Sequence, residues 1–296
     1  MKSFCYDYAV IGGDLRQLYL VRELAAPNSN VCYYALCQPM QSLRLSASTA
    51  VSCDSLEDAI DHSECILCPM PLSKDGVSLN QTAFEDTIFI NQILTRLKKG
   101  QIFFAGGISR NFRLTAQKKG VRVFDFMQDI TLAHFNSIAT AEGVICEAIK
   151  NSSINLHNSR CAVLGYGKCG HTIAAYLKRM FCLVTVASLD ETERAQAALF
   201  TDHVMDLETF QGQIEGYDFI FNTIPALILT RESLSHVKST ATILDIASFP
   251  GGVDFEAAKE LSVMALSCLS LPGRYAPASS AQAIRMSIET SIATIQ

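Results

Sequence analysis

Short apolar runs alternate with stretches of helical periodicity through the first half of the chain. Strand-like runs fall near 8–11 and 31–35 and at "CILCPM", "QIFFAGG" and "VRVFDF". Between them, residues 16–24 ("RQLYLVREL"), "SLEDAI" and "FINQILTRLKKG" place apolar side chains three and four apart, the helical interval. From about Asp129 the pattern becomes one long helical stretch, "HFNSIATAEGVICEAIKNSS", ending in Asn/Ser turn signals. A second alternation follows: strand "RCAVLG", a helix from Lys168, strand "LVTVAS", a helix around 192–199 and strand "FIFNTIP". A helix around 231–236, strands "TILDIAS" and "SVMALSC", and a last helical segment at 280–295 complete it.

Strand–helix alternation with strands apolar throughout predicts parallel sheets covered on both faces. The expected fold is α/β: two doubly wound Rossmann-like domains, residues 1–128 and 153–275, joined by a long helix at 129–152. A C-terminal helix, 276–296, is expected to return toward the N-terminal domain. Ligands in such sheets sit beyond the carboxyl ends of the strands, so a cleft between the domains is the expected site.

Composition narrows the partner. The chain has 296 residues, 49% hydrophobic and 18% charged, enough for two folded domains. A net charge of −5 without a Lys/Arg run gives neither nucleic acid nor an anionic membrane an electrostatic footprint. Eleven scattered cysteines, mostly in apolar runs, read as buried thiols of a reducing cytosol. Cys65 and Cys68 form a Cys-x-x-Cys, but zinc needs two further ligands and none follow, so no metal is expected. "MKSFCYDYAVIGG" is too short in apolar residues for a signal peptide and no run reaches membrane length; the expected location is the cytoplasm.

Two strands run into glycines. "YAVIGGDLRQLYL" presents Gly12 and Gly13, then Arg16-Gln17 where a dinucleotide fingerprint has its third glycine. "CAVLGYGKCGHTIAAYL" carries the complete set: Gly165 for the tight turn, Gly167 for backbone approach to a pyrophosphate, and Gly170 for close helix–strand packing. Tyr166, Lys168 and Cys169 lie between them, and the helix start supplies amide donors and dipole. At the end of the next strand, "VTVASLDETER", Asp190 suits adenosine ribose hydroxyls and so NAD; Ser188, Thr192 or Arg194 suit a 2′-phosphate and so NADP. Asn222, Thr223 and Pro225 in one turn, and Asp245, Ala247, Ser248, Pro250, Gly251 and Gly252 in another, sit at further strand ends where a nicotinamide would pass. On the linking helix, Asn136, Ser137, Thr140 and Glu142 converge near its start, where anions are favoured; Ser137 as a simple cap is the plainer alternative.

"VIGGDLRQ", "NSIATAEG", "VLGYGKCG", "NTIPALIL", "LDIASFPGGVDF" and "LPGRYAP", in this order over nearly the whole chain, resemble the family of dipicolinate synthase A subunits of spore-forming bacteria. The resemblance implies NADP-dependent oxidation of a hydroxylated tetrahydrodipicolinate, or its dehydrated form, to pyridine-2,6-dicarboxylate. It also implies a separate flavoprotein-like partner, the B subunit, and work in the mother-cell cytoplasm during sporulation. Two positions depart from the family pattern. Ala187-Ser188-Leu189-Asp190 stands where a Gly-Ala-Arg-Ser type run suited to a 2′-phosphate is expected, and Arg274 stands where an apolar residue is expected.

A dicarboxylate substrate calls for cations or helix starts. Arg16 with the amides of Gly12, Gly13 and Asp14 is the leading candidate for one carboxylate; Asn136, Ser137, Thr140, Gly106, Gly107 and Arg274 are candidates for the other. Glu142 or Asp14 would take the ring proton, and a homo-oligomer is expected. Two rival readings are a 2-hydroxyacid-dehydrogenase-like enzyme and a cofactor-binding, non-catalytic partner subunit. The first needs an Arg and a His–Glu pair, whereas Ser248 and Phe249 stand after the "LDIAS" strand and no His follows His236.

Overall fold

The computed structural model describes residues 4–25, 29–37, 50–82 and 84–295. In chain order the elements begin β1 (Tyr6–Ile11), α1 (Leu15–Leu24), β2 (Val31–Tyr34), β3 (Ala50–Ser52), α2 (Leu56–Asp61) and β4 (Ser63–Leu67). They continue with α3 (Ile90–Arg96), β5 (Ile102–Ala105), α4 (Arg110–Lys118), β6 (Arg122–Asp125) and the long α5 (Ile130–Lys150). The second half holds β7 (Arg160–Leu164), α6 (Lys168–Arg179), β8 (Leu183–Ala187), α7 (Glu191–Ala197), β9 (His203–Met205), α8 (Leu207–Gln211) and β10 (Phe219–Asn222). After these come α9 (Arg231–Leu234), β11 (Thr242–Asp245), α10 (Phe255–Glu260), β12 (Met264–Ser267), α11 (Leu271–Tyr275) and α12 (Pro277–Ala293).

Two compact units result, one of residues 1–136 with 276–296 and the other of 137–275. The division falls inside α5, between residues 136 and 137. Each unit is built on six parallel strands, ordered β3-β2-β1-β4-β5-β6 in the first and β12-β11-β10-β7-β8-β9 in the second. Counted from each unit's first strand, both orders are the doubly wound 3-2-1-4-5-6, with the reversal of direction beside the first strand.

Apolar strands explain the layering. Ala9 and Ile11 of β1 join one core layer while Val10 joins the other, so the sheet is covered on both faces. In the second unit Cys161 and Val163 of β7 face one layer, Ala162 and Leu164 the opposite one. Helix α12 supplies Ala281, Ile284 and Ile288 to the core of the first unit, beside Leu20, Val21 and Leu24 of α1.

Candidate functional site

The second glycine turn is the one built to receive a ligand. Strand β7 ends in Gly165, whose φ of +83° is open to glycine without strain; a Cβ there would lie 2.6 Å from Thr223 Oγ1. A Cβ on Gly170 would lie 2.2 Å from the Gly165 carbonyl oxygen, so only glycine lets α6 start this close to the strand. Gly167 is the opposite case. It caps α6, and among the described residues a Cβ on it would meet only Glu193 Oε1, at 3.9 Å. No side chain caps α6, and the helical ladder begins with His171 N–H to the Gly167 carbonyl at 2.9 Å. The amides of Lys168, Cys169 and Gly170 are therefore unclaimed among the described residues, at the positive end of a twelve-residue helix. An open backbone approach with free donors fits the pyrophosphate of a dinucleotide. Tyr166 and Cys169 lie inward, and burial raises the pKa of both side chains, which makes them wall rather than acid–base groups.

The end of β8 borders this turn. Asp190 caps α7, its Oδ1 accepting the amides of Thr192 (2.7 Å) and Glu193 (3.3 Å), and these bonds hold its pKa below the usual carboxylate range. Glu193 folds back from the first turn of α7, and its Oε2 accepts Tyr166 N–H at 2.8 Å and Ser188 Oγ–H at 2.6 Å. Arg194 turns the other way, donating from Nη1 to the carbonyls of Ser188 (2.7 Å) and Leu189 (2.9 Å). Sequence reasoning passed over Glu193. Its one signal is its place at the third position of a helix capped by Asp190, where a long side chain can reach back past the helix start.

The turns after β10 and β11 brace the same sheet end. Thr223 Oγ1 donates to the Leu164 carbonyl at 2.8 Å, locking the glycine turn at the point where strand order reverses. Buried Asn222 donates from Nδ2 to Asp245 Oδ1 at 2.8 Å, and Asp245 also accepts the amides of Ala247 (3.1 Å) and Gly252 (2.9 Å). These polar groups are spent on the turns themselves, and of the positions named from the sequence Pro225, Ser248 and Pro250 are exposed.

On α5, buried Ser137 shares a hydrogen bond of 2.8 Å with Thr172, which in turn donates to the Lys168 carbonyl at 2.9 Å. Ser137 thus stands against the first turn of α6. Thr140 follows one turn along α5, half-buried. Glu142 is exposed and accepts Tyr176 O–H at 3.2 Å, one turn further along α6 than Thr172. Asn136 approaches Met70 Sδ with its Nδ2 at 4.0 Å. Arg274 is not a free cation: its Nη2 donates to Glu147 Oε1 at 2.6 Å, and Tyr275 O–H donates to the same oxygen at 2.5 Å.

The first glycine turn corrects the sequence expectation. The amides of Gly12, Gly13 and Asp14 are consumed by the carbonyls of Tyr34 (3.0 Å) and Asn80 (3.1 Å) and by Gln17 Oε1 (3.0 Å). The Leu79 side chain covers Gly12, that of Gln17 lies across Gly13, and Thr82 N–H bonds the Gly13 carbonyl. Arg16, 5% exposed, gives Nε and Nη2 to Asp14 and Nη2 also to the Met70 carbonyl at 2.7 Å. Cation and carboxylate satisfy each other there. Gly106 is likewise internal, since a Cβ on it would strike Met70, whereas Gly107 is exposed but its amide is already spent on Asp125 at 2.9 Å. Cys65 and Cys68 are buried, and no group of metal-ligating side chains exists among the described residues. No described helix is long and apolar enough to cross a membrane.

Twin six-stranded parallel sheets, one with an open glycine turn at its switch point, define a protein of the Rossmann-like dehydrogenase fold class. The chain belongs to the family of dipicolinate synthase A subunits. It is 30% identical over 292 residues, 97% of this chain and 96% of the relative, to the A subunit of dipicolinate synthase from Bacillus subtilis (strain 168). Residues 7–127 match the family described as the N-terminal domain of the dipicolinate synthase A subunit. Among solved structures it is similar to the A subunit of dipicolinate synthase from Bacillus halodurans, with a TM-score of 0.84, 24% identity and coverage of 97% and 98% of the two chains. It shares its fold with a transhydrogenase from Sinorhizobium meliloti, with a TM-score of 0.67, 16% identity and coverage of 93% and 89%.

Proposed function

We propose that this chain oxidises a hydroxylated tetrahydrodipicolinate, or the dihydro ring left when water departs, to pyridine-2,6-dicarboxylate. The observation that carries this reading is the open, uncapped glycine turn between β7 and α6 in a member of this family. A nicotinamide dinucleotide would supply a hydride acceptor. The dihydro ring gives up one hydride and one proton and becomes aromatic, which provides much of the driving force, so the protein's share is chiefly positioning.

The amides of Lys168, Cys169 and Gly170 are the donors for the phosphates, Gly167 allows them to come close, and Thr223 keeps the turn in shape. Ser137, held by Thr172 beside the start of α6, and Thr140 one turn on are the side chains we assign to a ring carboxylate. Glu142 is the carboxylate retained as proton acceptor, since Asp14 is tied to Arg16. The family name implies a B subunit working with this chain, and the reading carries with it the cytoplasm of a sporulating mother cell. The resemblance favours NADP, whereas the residues after β8 favour the unphosphorylated cofactor.

The test is the absorbance of reduced nicotinamide on mixing the chain with the hydroxylated tetrahydrodipicolinate and either cofactor, with and without the B subunit. Turnover is expected with one cofactor at least, and Glu142→Gln is expected to lower kcat about 100-fold or more while nucleotide affinity stays unchanged. No turnover under any of the four conditions sinks the proposal.

A further inference from the structure

We propose that Glu193 selects the cofactor: its carboxylate receives the adenosine ribose hydroxyls and excludes a 2′-phosphate, making this chain an NAD rather than an NADP binder. The inference rests on the reading that a nicotinamide dinucleotide occupies the turn between β7 and α6.

In a sheet of this topology the adenosine ribose lies over the glycine turn, beside the end of the second strand, and an acidic side chain there takes the 2′-hydroxyl. The strand itself brings no such acid. Ser188 is buried at its end, and Asp190, exposed beyond it, has Oδ1 committed to the cap of α7 and, unlike Glu193, makes no hydrogen bond to the glycine turn among the described residues. Glu193 fills the place from the neighbouring helix. Its Oε2 is fixed by two donors, one on the glycine turn (Tyr166 N–H) and one at the end of β8 (Ser188 Oγ–H). Its Oε1 has no hydrogen-bond partner among the described residues and lies 3.9 Å from where a Cβ of Gly167 would be, on the side Gly167 leaves open. A carboxylate oxygen with free lone pairs, aimed at the approach to the turn, accepts hydroxyl protons and repels a phosphate dianion.

Two of the groups that would welcome a 2′-phosphate, Ser188 and Arg194, are withdrawn. The Ser188 hydroxyl spends its only proton on Glu193 and accepts Asp190 N–H at 3.1 Å. Arg194 holds the backbone of Ser188 and Leu189 with Nη1, and its Nη2 is directed toward Glu191 at 3.7 Å. Asp190 then acts as a positioning residue, since its bond to Glu193 N–H sets the helix start from which Glu193 reaches back.

Equilibrium titration of the full chain with NADH and with NADPH, read by nicotinamide fluorescence, tests this without turnover. The wild-type chain is expected to bind NADH at least about tenfold more tightly, a difference of about 1.4 kcal/mol. Glu193→Gln is expected to shrink that preference about tenfold or more, mainly by strengthening NADPH. Glu193→Asp keeps the charge but loses the reach, and is expected to weaken NADH while leaving NADPH excluded. Far-ultraviolet circular dichroism checks that both variants fold, and the wild-type ratio decides the matter if neither does. Tighter binding of NADPH by the wild type overturns the proposal, as does an unchanged ratio in Glu193→Gln, the result expected if Glu193 simply swings aside when a nucleotide arrives. Binding of neither nucleotide by the wild type would overturn the dinucleotide reading of the turn as well, whereas binding of both with a ratio indifferent to Glu193 removes this inference alone.

Discussion

Arg16 shows how a single residue can change meaning between sequence and structure. Its place after two glycines suggested a cation waiting for a carboxylate, and it is instead a buried tie. One guanidinium joins the cap of α1 to the Met70 carbonyl, bringing together groups separated by more than fifty residues of chain. Partner identity is what a sequence pattern leaves open, because the competing acceptor, Asp14, is two residues away and equally suited to capping the helix. Replacing Arg16 by Met strands the Asp14 carboxylate, at 22% exposure, and leaves the Met70 carbonyl short of a donor. Breaking a buried pair from one side costs about 3–5 kcal/mol, and the partial exposure of Asp14 puts this case near the lower end. The expected outcome in urea denaturation is a lowered midpoint with unchanged slope, recovered in part by Asp14→Asn in the same chain. Substrate KM should stay within about twofold of wild type; a large selective rise in KM with unchanged stability would return Arg16 to the substrate.

At the scale of elements, the short helix α11 is held to α5 by one carboxylate. Glu147 accepts from both Tyr275 and Arg274, and Gly143 on α5 leaves room for the Tyr275 ring, which a Cβ there would meet at 2.9 Å. The hydrogen bond from Tyr275, with the Arg274 guanidinium behind it, holds the Glu147 carboxyl below its ordinary value of 4.5. The same bond pushes the phenol of Tyr275 from 10.0 up to about 12. Glu147 is therefore stabilising in full above pH 4.5, and that contribution fades as pH falls through its lower folded-state pKa. The Tyr275 contribution is complete below pH 10.0 and fades as pH rises through about 12. Tyr275→Phe is expected to cost about 1.5–3 kcal/mol at neutral pH, as for a hydrogen bond to a charged group. The gap between wild type and variant in urea midpoint should be a plateau that narrows at both ends of the pH range, and a gap independent of pH would show that the bond contributes nothing. The long α5 was plain in its periodicity. The elements that sequence reasoning passed over, β3, α4, β9, α8, α10 and α11, are short or sparingly apolar: α4 buries only Phe112 and Ala116. Tertiary packing rather than local pattern forms such pieces.

At the scale of the whole chain, five strands of each sheet were legible because parallel strands buried on two faces must be apolar without alternation, and most were followed by a helical period. The complete glycine set already marked the second strand-to-helix turn for the dinucleotide; what could not be read was that the first turn is closed. That is decided by residues 70–82, far from Gly12 in sequence, which lay Leu79 and the Asn80 carbonyl over the first turn. Nothing comparable covers Gly167 among the described residues. Hydrogen exchange along the chain separates the two turns in one experiment. Without nucleotide, the amides of Lys168, Cys169 and Gly170 lack acceptors and should exchange rapidly, while those of Gly12 and Gly13, bonded to Tyr34 and Asn80, should already be slow. With a dinucleotide at about one hundred times its Kd, binding stabilises the occupied form by about 2.7 kcal/mol, so the amides of the second turn should slow by up to about 100-fold. The amides of Gly12, Gly13 and Asp14 should exchange as before. Protection that appeared at the first turn and spared the second would exchange the roles assigned to them, and would take the dinucleotide, Glu193 and the phosphate donors of α6 out of the same site together.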